Sequence, residues 1–277
     1  RPPSWGTTWG TTQGCSPARV YGGYVEVMPP RRSAGEPLAL PAAWGIGWGV
    51  TTVAADPATL HPAEAALVDC AQPQRRAEFA TGRECARTAL REIGAEAPDH
   101  PILADANGAP LWPAGVIGSI SHTAGWTGAV AARQGTGVRV HRTGLASIGL
   151  DAEVAVPLPE GVLGVVATPA ERAALGHLGR SRADLPWDTL LFAAKEATYK
   201  AWYPLTGVVL HHEQVRVQLT ADGTFRAEAS DGIRMPLRVE GRWRAGPDVV
   251  VTLAAVAARE VPRDAATRRT ARGAASR

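Results

Sequence analysis

The chain has 277 residues, 45% hydrophobic and 20% charged, with a net charge of +3. That is enough for one large domain or two small ones; no apolar run approaches the roughly 20 residues of a membrane-spanning helix, and no membrane partner is expected. Residues 1–33 carry a net +3 and residues 259–277 a net +4, so the body is acidic and the basic balance lies in tails of the usually solvated kind, not in a nucleic-acid surface.

In chain order, residues 1–37 read as an unstructured, tag-like segment, with a WGTTWGTTQG repeat and the linker-like MPPRRSAGEP. Two arginines ahead of LALPAAWGIGWGV outline a twin-arginine export signal. Pro41, Gly45, Gly47 and Gly49 interrupt the apolar part and no small-residue cleavage site follows, so a short strand around Trp44–Val53 is the better reading. Pro62–Cys70 predicts a helix that Pro73 interrupts, and Gln74–Ile93 predicts a longer one stopped by Gly94. On it Arg76, Arg83 and Arg87 recur at +7 and +4, a basic face that either meets phosphates or lies in solvent. Asn107-Gly108 marks a tight turn, and VIGSISH and WTGAVAAR are strand-like.

In ASIGLDAEVAV, strand alternation puts Ile148 and Leu150 on one side and Gly149, Asp151 and Glu153 on the other. Thr168-Pro169-Ala170-Glu171 is a capping box with proline at the first helical position. Leu185–Tyr203 predicts a long helix with Pro204 past its end, followed by strands at Val215–Leu219, Leu237–Trp243 and Val249–Val256. The expected organisation is α+β, in two small units of residues 38–144 and 145–258 packed as one body, then a disordered basic tail, 259–277. Two internal halves make a monomer the natural state. Cys15, Cys70 and Cys85 offer no zinc spacing and suit a reducing, cytoplasmic setting.

The chemistry concentrates in few residues. Asp151 and Glu153 share a strand face and can reach one ion, or can be solvated acids. Magnesium is usually held by one or two carboxylates plus substrate phosphates. Glu196 sits mid-helix among apolar neighbours and needs a partner, either Lys200 four residues on or a metal. Lys195 and Lys200 are solvated lysines or phosphate contacts. Ser121 and His122 are strand neighbours on opposite faces, and no GxSxG elbow is present, so a nucleophile–base pair is disfavoured. His122 is better read as a phosphate or sugar contact, or a structural histidine.

GSISH at 118–122, IGLDAE at 148–153 and WDTLLFAAKEATYKAWYPLTG at 187–207 together resemble the surfactin-type 4′-phosphopantetheinyl transferases, in particular their actinobacterial branch. RRAEFATGRECAR at 75–87, WPAGVIGS at 112–119 and LPEGVL at 158–163 fit the same family, and the likeness runs from about Glu64 to Val256. The resemblance implies a pseudo-dimer of two similar α+β halves with coenzyme A in the cleft between them. It implies Mg²⁺ on Asp151, Glu153 and Glu196, and coenzyme contacts from Arg75, Arg83, Ser121, His122, Lys195 and Lys200. It further implies transfer of phosphopantetheine to a serine of an apo acyl or peptidyl carrier protein, with Glu196 and Lys200 catalytic. Gln74, Ala104 and Thr123 depart from the family pattern and bear on coenzyme affinity more than on chemistry. The alternatives are a Mg²⁺-dependent coenzyme A pyrophosphatase, whose usual glutamate-rich cluster is missing here, and a non-catalytic carrier-protein binder.

Overall fold

The computed structural model describes residues 45–135, 137–138, 141–229 and 238–258. The expected tag-like segment 1–37 and the basic tail 259–277 lie outside the described residues, as do the paired arginines of the export-signal outline. The first half consists of β1 (Gly47–Thr51), α1 (Pro62–Ala65), α2 (Pro73–Glu92), β2 (Val116–Thr123) and β3 (Trp126–Arg133). Its strands form an antiparallel sheet in the order β1-β3-β2. The rest of the described chain consists of β4 (Gly137–Val138), β5 (His141–Val154), α3 (Val162–Val166), α4 (Pro169–Ser181), α5 (Trp187–Thr206), β6 (Val215–Leu219), β7 (Thr224–Ala229), β8 (Arg238–Ala245) and β9 (Val249–Ala257). These strands make a six-stranded antiparallel sheet, β4-β5-β9-β8-β7-β6. The architecture is α+β, with two similar halves.

Four layers result. One face of the small sheet takes Cys85, Ala89 and Leu90 of α2 on Ile120, Ala129 and Ala131. Its other face, through Ile117 and Val130, meets Ile148 and Leu150 of β5 and Val251 and Leu253 of β9. The far side of the large sheet carries α5, whose Leu190, Ala194, Ala197 and Ala201 pack with Val217, Phe225, Val250 and Ala254. Strands β5 and β9 are therefore covered on both faces, which is why VVVTLAAV is apolar without alternation.

Each half seats its long helix on a glycine. A Cβ on Gly49 would lie 2.0 Å from the Cys85 carbonyl oxygen of α2, and one on Gly149 would lie 2.0 Å from the Ala197 carbonyl oxygen and 2.6 Å from the Ala201 nitrogen of α5. Both obstacles are main-chain atoms, so the helix itself would have to move. We expect Gly149→Ala to cost about 1–3 kcal/mol, lowering the melting temperature by a few degrees to about 10 °C. An unchanged melting curve by circular dichroism would show that α5 does not rest on this glycine.

Several boundaries differ from expectation. Instead of one helix through Cys70, α1 gives way after Ala65 to a 3₁₀ turn, Ala66–Val68, and Pro73 opens α2 as its first residue, where a missing N–H costs nothing. Pro204 lies inside α5, not beyond it. In the last turn it forfeits only the N–H to the carbonyl four residues back. The stop comes from Gly207, at φ 66°, whose N–H caps the Tyr203 carbonyl. Strand β7 was not anticipated, since TFRAEA offers only Phe225 and Ala227 to the core. The Asn107-Gly108 turn is present, closed by Gly108 N–H on the Asp105 carbonyl at 2.9 Å. It crosses to the second half: Tyr203 of α5 donates to Asp105 Oδ2 at 3.3 Å and meets the Asn107 amide. Among the described residues no helix is long and apolar enough to cross a membrane.

Candidate active site

The site forms where β2 of the first half meets β5 and α5 of the second. Alternation along β5 sends Ile148 and Leu150 into the layer between the sheets and turns Gly149 and Asp151 toward α5. Because Gly149 lets the helix come close, Lys200 reaches Asp151: Nζ donates to Oδ1 at 2.6 Å and to Ser121 Oγ at 3.2 Å. Ser121 donates in turn to Asp151 Oδ1 at 3.1 Å and accepts the Ala152 N–H at 3.2 Å. Asp151, Lys200 and Ser121 are all buried, at 1%, 7% and 4% exposure. Burial pushes the Asp151 carboxyl up against the pull of Lys200.

Two more carboxylates join them. Glu153 is pushed up to about 8, first by burial, then by the negative charges of Asp151 and Glu196, with Lys200 opposing. Glu196 is buried on α5, and its Oε1 stands 3.6 Å from His212 Nε2. With all groups ionised, three carboxylates face one ammonium, an excess of two negative charges in a poorly solvated place. A divalent cation would neutralise that excess. Asp151 Oδ2 supports the fit: it is buried and has no hydrogen-bond partner, which is costly unless something else binds there. The residues thus suit a divalent cation by charge and by donor chemistry. Among the described residues, however, no three His, Cys, Asp or Glu side chains already stand as a coordination shell. Lys200 lies on the oxygen next to the unpartnered one.

Beside this cluster, Arg75 of α2 meets His122 of β2, Nη1 to Nε2 at 3.1 Å, and approaches Glu78 at 3.6 Å. Burial is the main cause that lowers the His122 pKa, so the ring is neutral near pH 7 and accepts from Arg75. Ser121 and His122 do diverge, one to Asp151 and the other to Arg75, as strand neighbours must.

The other predicted contacts sit elsewhere. Arg83 is 3% exposed, donates from Nε to the Ile102 carbonyl at 2.7 Å and lies over the Phe79 ring at 4.1 Å. Burial lowers its pKa to about 10, with Glu64 opposing. Arg87 pairs with Glu64, which is fully buried and also takes the Ile102 N–H at 2.8 Å. Arg83 and Arg87 therefore clamp the Ile102 segment to α2 instead of presenting an open basic face.

Lys195 is engaged away from the cluster. It does not join the cluster of its neighbour Glu196, because successive helical residues point about 100° apart. Its Nζ donates to Glu171 Oε2 at 2.9 Å, to the Val166 carbonyl at 2.8 Å and to the His212 carbonyl at 2.9 Å, which uses all three protons. Glu171 was visible from sequence as the closing residue of a capping box, and it does accept the Thr168 N–H at 2.7 Å. Its pairing with Lys195 and its bond to the Val217 N–H at 2.8 Å had no sequence signal, and neither had Glu64 or His212.

Comparison with known proteins gives the family. The family model of the 4′-phosphopantetheinyl transferase N-terminal domain matches residues 63–132, and that of the 4′-phosphopantetheinyl transferase superfamily matches residues 147–254. The chain is 44% identical over 229 residues to the 4′-phosphopantetheinyl transferase Svp of Streptomyces mobaraensis, covering 79% of this chain and 89% of that protein. To the 4′-phosphopantetheinyl transferase Npt of Nocardia iowensis it is 38% identical over 211 residues, 71% of this chain and 89% of the relative. To the 4′-phosphopantetheinyl transferase PptT of Mycobacterium tuberculosis it is 44% identical over 163 residues, 59% and 66% of the two chains. The Asp151–Lys200–Ser121 junction falls inside these matched regions, and the chain belongs to the 4′-phosphopantetheinyl transferase superfamily, with relatives in its actinobacterial branch.

Proposed function

We propose that the protein moves the 4′-phosphopantetheine group of coenzyme A onto a serine of an apo acyl or peptidyl carrier protein of polyketide, peptide or fatty-acid synthesis. It would act as a cytoplasmic monomer whose halves divide near Gly144. The observation that carries this reading is the meeting of Asp151, Lys200 and Ser121 at the junction of the two halves, beside Glu153 and Glu196. Such a site suits a diphosphate ester: excess negative charge for a cation, and a lysine for the phosphate. The serine Oγ attacks the phosphorus that bears pantetheine, a P–O bond of the pyrophosphate breaks, and adenosine 3′,5′-bisphosphate leaves. Asp151, Glu153 and Glu196 are the residues to hold Mg²⁺, which when bound supplies neutralisation of the pyrophosphate and of the leaving phosphate. Glu196 accepts the serine proton, directly or through a water. Lys200 adds positive charge at the phosphate. Arg75 and His122 bind the coenzyme's remaining phosphate.

Incubation with coenzyme A, Mg²⁺ and an apo carrier, followed by weighing the carrier, tests the reading. A gain of one phosphopantetheine is the expected result. Release of free phosphopantetheine would make the protein a hydrolase, and an unchanged carrier would leave only a binder. His122→Ala should raise the KM for coenzyme A about tenfold and change kcat less, since it removes a binding contact distant from the reacting bond. The reverse ranking in steady-state kinetics would take His122 off the coenzyme.

A further inference from the structure

We infer that His212 is a positioning residue for Glu196, set in place by Lys195 through the main chain of the segment after α5. The inference rests on the reading of Glu196 as a cation ligand.

Lys195 and Glu196 are adjacent on α5 and point about 100° apart, so each meets a different part of His212. The 2%-exposed Lys195 draws three separate segments onto one ammonium: the Val166 carbonyl of α3, the Glu171 carboxylate of α4 and the His212 carbonyl. Glu171 holds the Val217 N–H of β6 as well, so both ends of the path around residue 212 are anchored at this point. Residues His212–Gln214 form a short 3₁₀ turn, closed by the Gln214 N–H on the His211 carbonyl and by the His211 N–H on Gln214 Oε1, each at 2.9 Å. The His212 ring lies 5.6 Å from that of Phe192, one turn before Glu196 on the same helix. With its carbonyl and its ring both fixed, its Nε2 is brought to 3.6 Å from Glu196 Oε1.

At that distance the contact is longer than a hydrogen bond. It acts as a charge or dipole attraction, or across one water. Glutamate loses much rotamer freedom when fixed, and groups behind a metal ligand commonly change metal affinity by about 10–100-fold. The arrangement therefore gives the Lys195–Glu171 pair a consequence at the site it does not touch: it fixes the imidazole that aims the carboxylate.

Mn²⁺ binding in the presence of coenzyme A, read from the free-ion EPR signal, tests this without turnover. His212→Phe keeps the ring beside Phe192 and the carbonyl on Lys195, and removes both ring nitrogens, Nε2 toward Glu196 among them. It should weaken Mn²⁺ binding about tenfold with the melting temperature and the KM for the apo carrier unchanged, and His212→Gln, whose amide can face Glu196, should restore most of the loss. Affinity within about twofold of wild type, or the same loss in a Glu196→Gln background, would overturn the inference. If His212→Phe lowers the melting temperature, the comparison passes to His212→Gln against His212→Leu, and equal Mn²⁺ affinities in that pair overturn it. A wild-type chain that binds no Mn²⁺ would overturn the cation reading and this inference together. Binding by wild type with His212→Phe unaffected overturns this inference alone.

Discussion

Asp151→Asn should lower kcat/KM for carrier modification by roughly 10³-fold or more while the chain stays folded. The substitution keeps the volume and the capacity to bond Ser121 and Lys200, and removes the one carboxyl group that carries the unpartnered Oδ2. A cation held there would contribute several kcal/mol of charge stabilisation in the transition state, and each 1.36 kcal/mol is tenfold in rate. Asparagine is the better probe than alanine. Asp151→Ala would leave the Lys200 ammonium buried with only a hydroxyl, and removing one partner of a buried pair costs about 3–5 kcal/mol, so lost activity would be confounded with lost fold. The measurement is the carrier mass assay together with a melting curve on the same preparation. Turnover within about tenfold of wild type would remove Asp151 from the reaction.

Lys195→Met should show the reverse pattern: a large loss of stability without a matching effect on coenzyme binding. Both partners of the Lys195–Glu171 pair are almost fully buried, at 1% and 2% side-chain exposure. Methionine retains most of the stem but takes the ammonium partner from Glu171, and deprives the Val166 and His212 carbonyls of their donor. About 3–5 kcal/mol is the expected cost, a fall in melting temperature of roughly 10 °C or more for a chain of this size. At saturating Mg²⁺, which offsets any loss of cation affinity passed on through His212, the fraction that remains folded should keep a wild-type KM for coenzyme A. A variant with native stability and a raised KM would return Lys195 to the coenzyme.

These two residues show what the sequence could and could not reveal. Asp151 was legible because strand alternation fixes side-chain direction over a run as short as IGLDAE, and because Glu153 two residues on must share its face. The long helix, the capping box at Thr168 and strands β6 and β9 were legible for the same reason, as periodicity and end signals are local. Lys195 and Lys200 look alike in the sequence, both lysines in one helix with Glu196 between them. What separates them is the partner each meets, Glu171 24 residues earlier for one and Asp151 49 residues earlier for the other. No local rule contains those separations. Arg83 was read as facing outward with Arg76 and Arg87 because the spacing defines a face. The spacing does not say that buried Glu64 and the Ile102 carbonyl wait on the other side.

The glycine seats have a consequence for how such a protein can diverge. Where Gly149 lies under Ala197 and Ala201, the gap between strand and helix is gauged by main-chain atoms, whose dimensions are the same in every homologue. Leucines and valines elsewhere in the interior can be exchanged without altering that gauge. Asp151 and Lys200 on the two elements then keep their mutual reach while most of the surrounding letters change, provided one position without a side chain is retained.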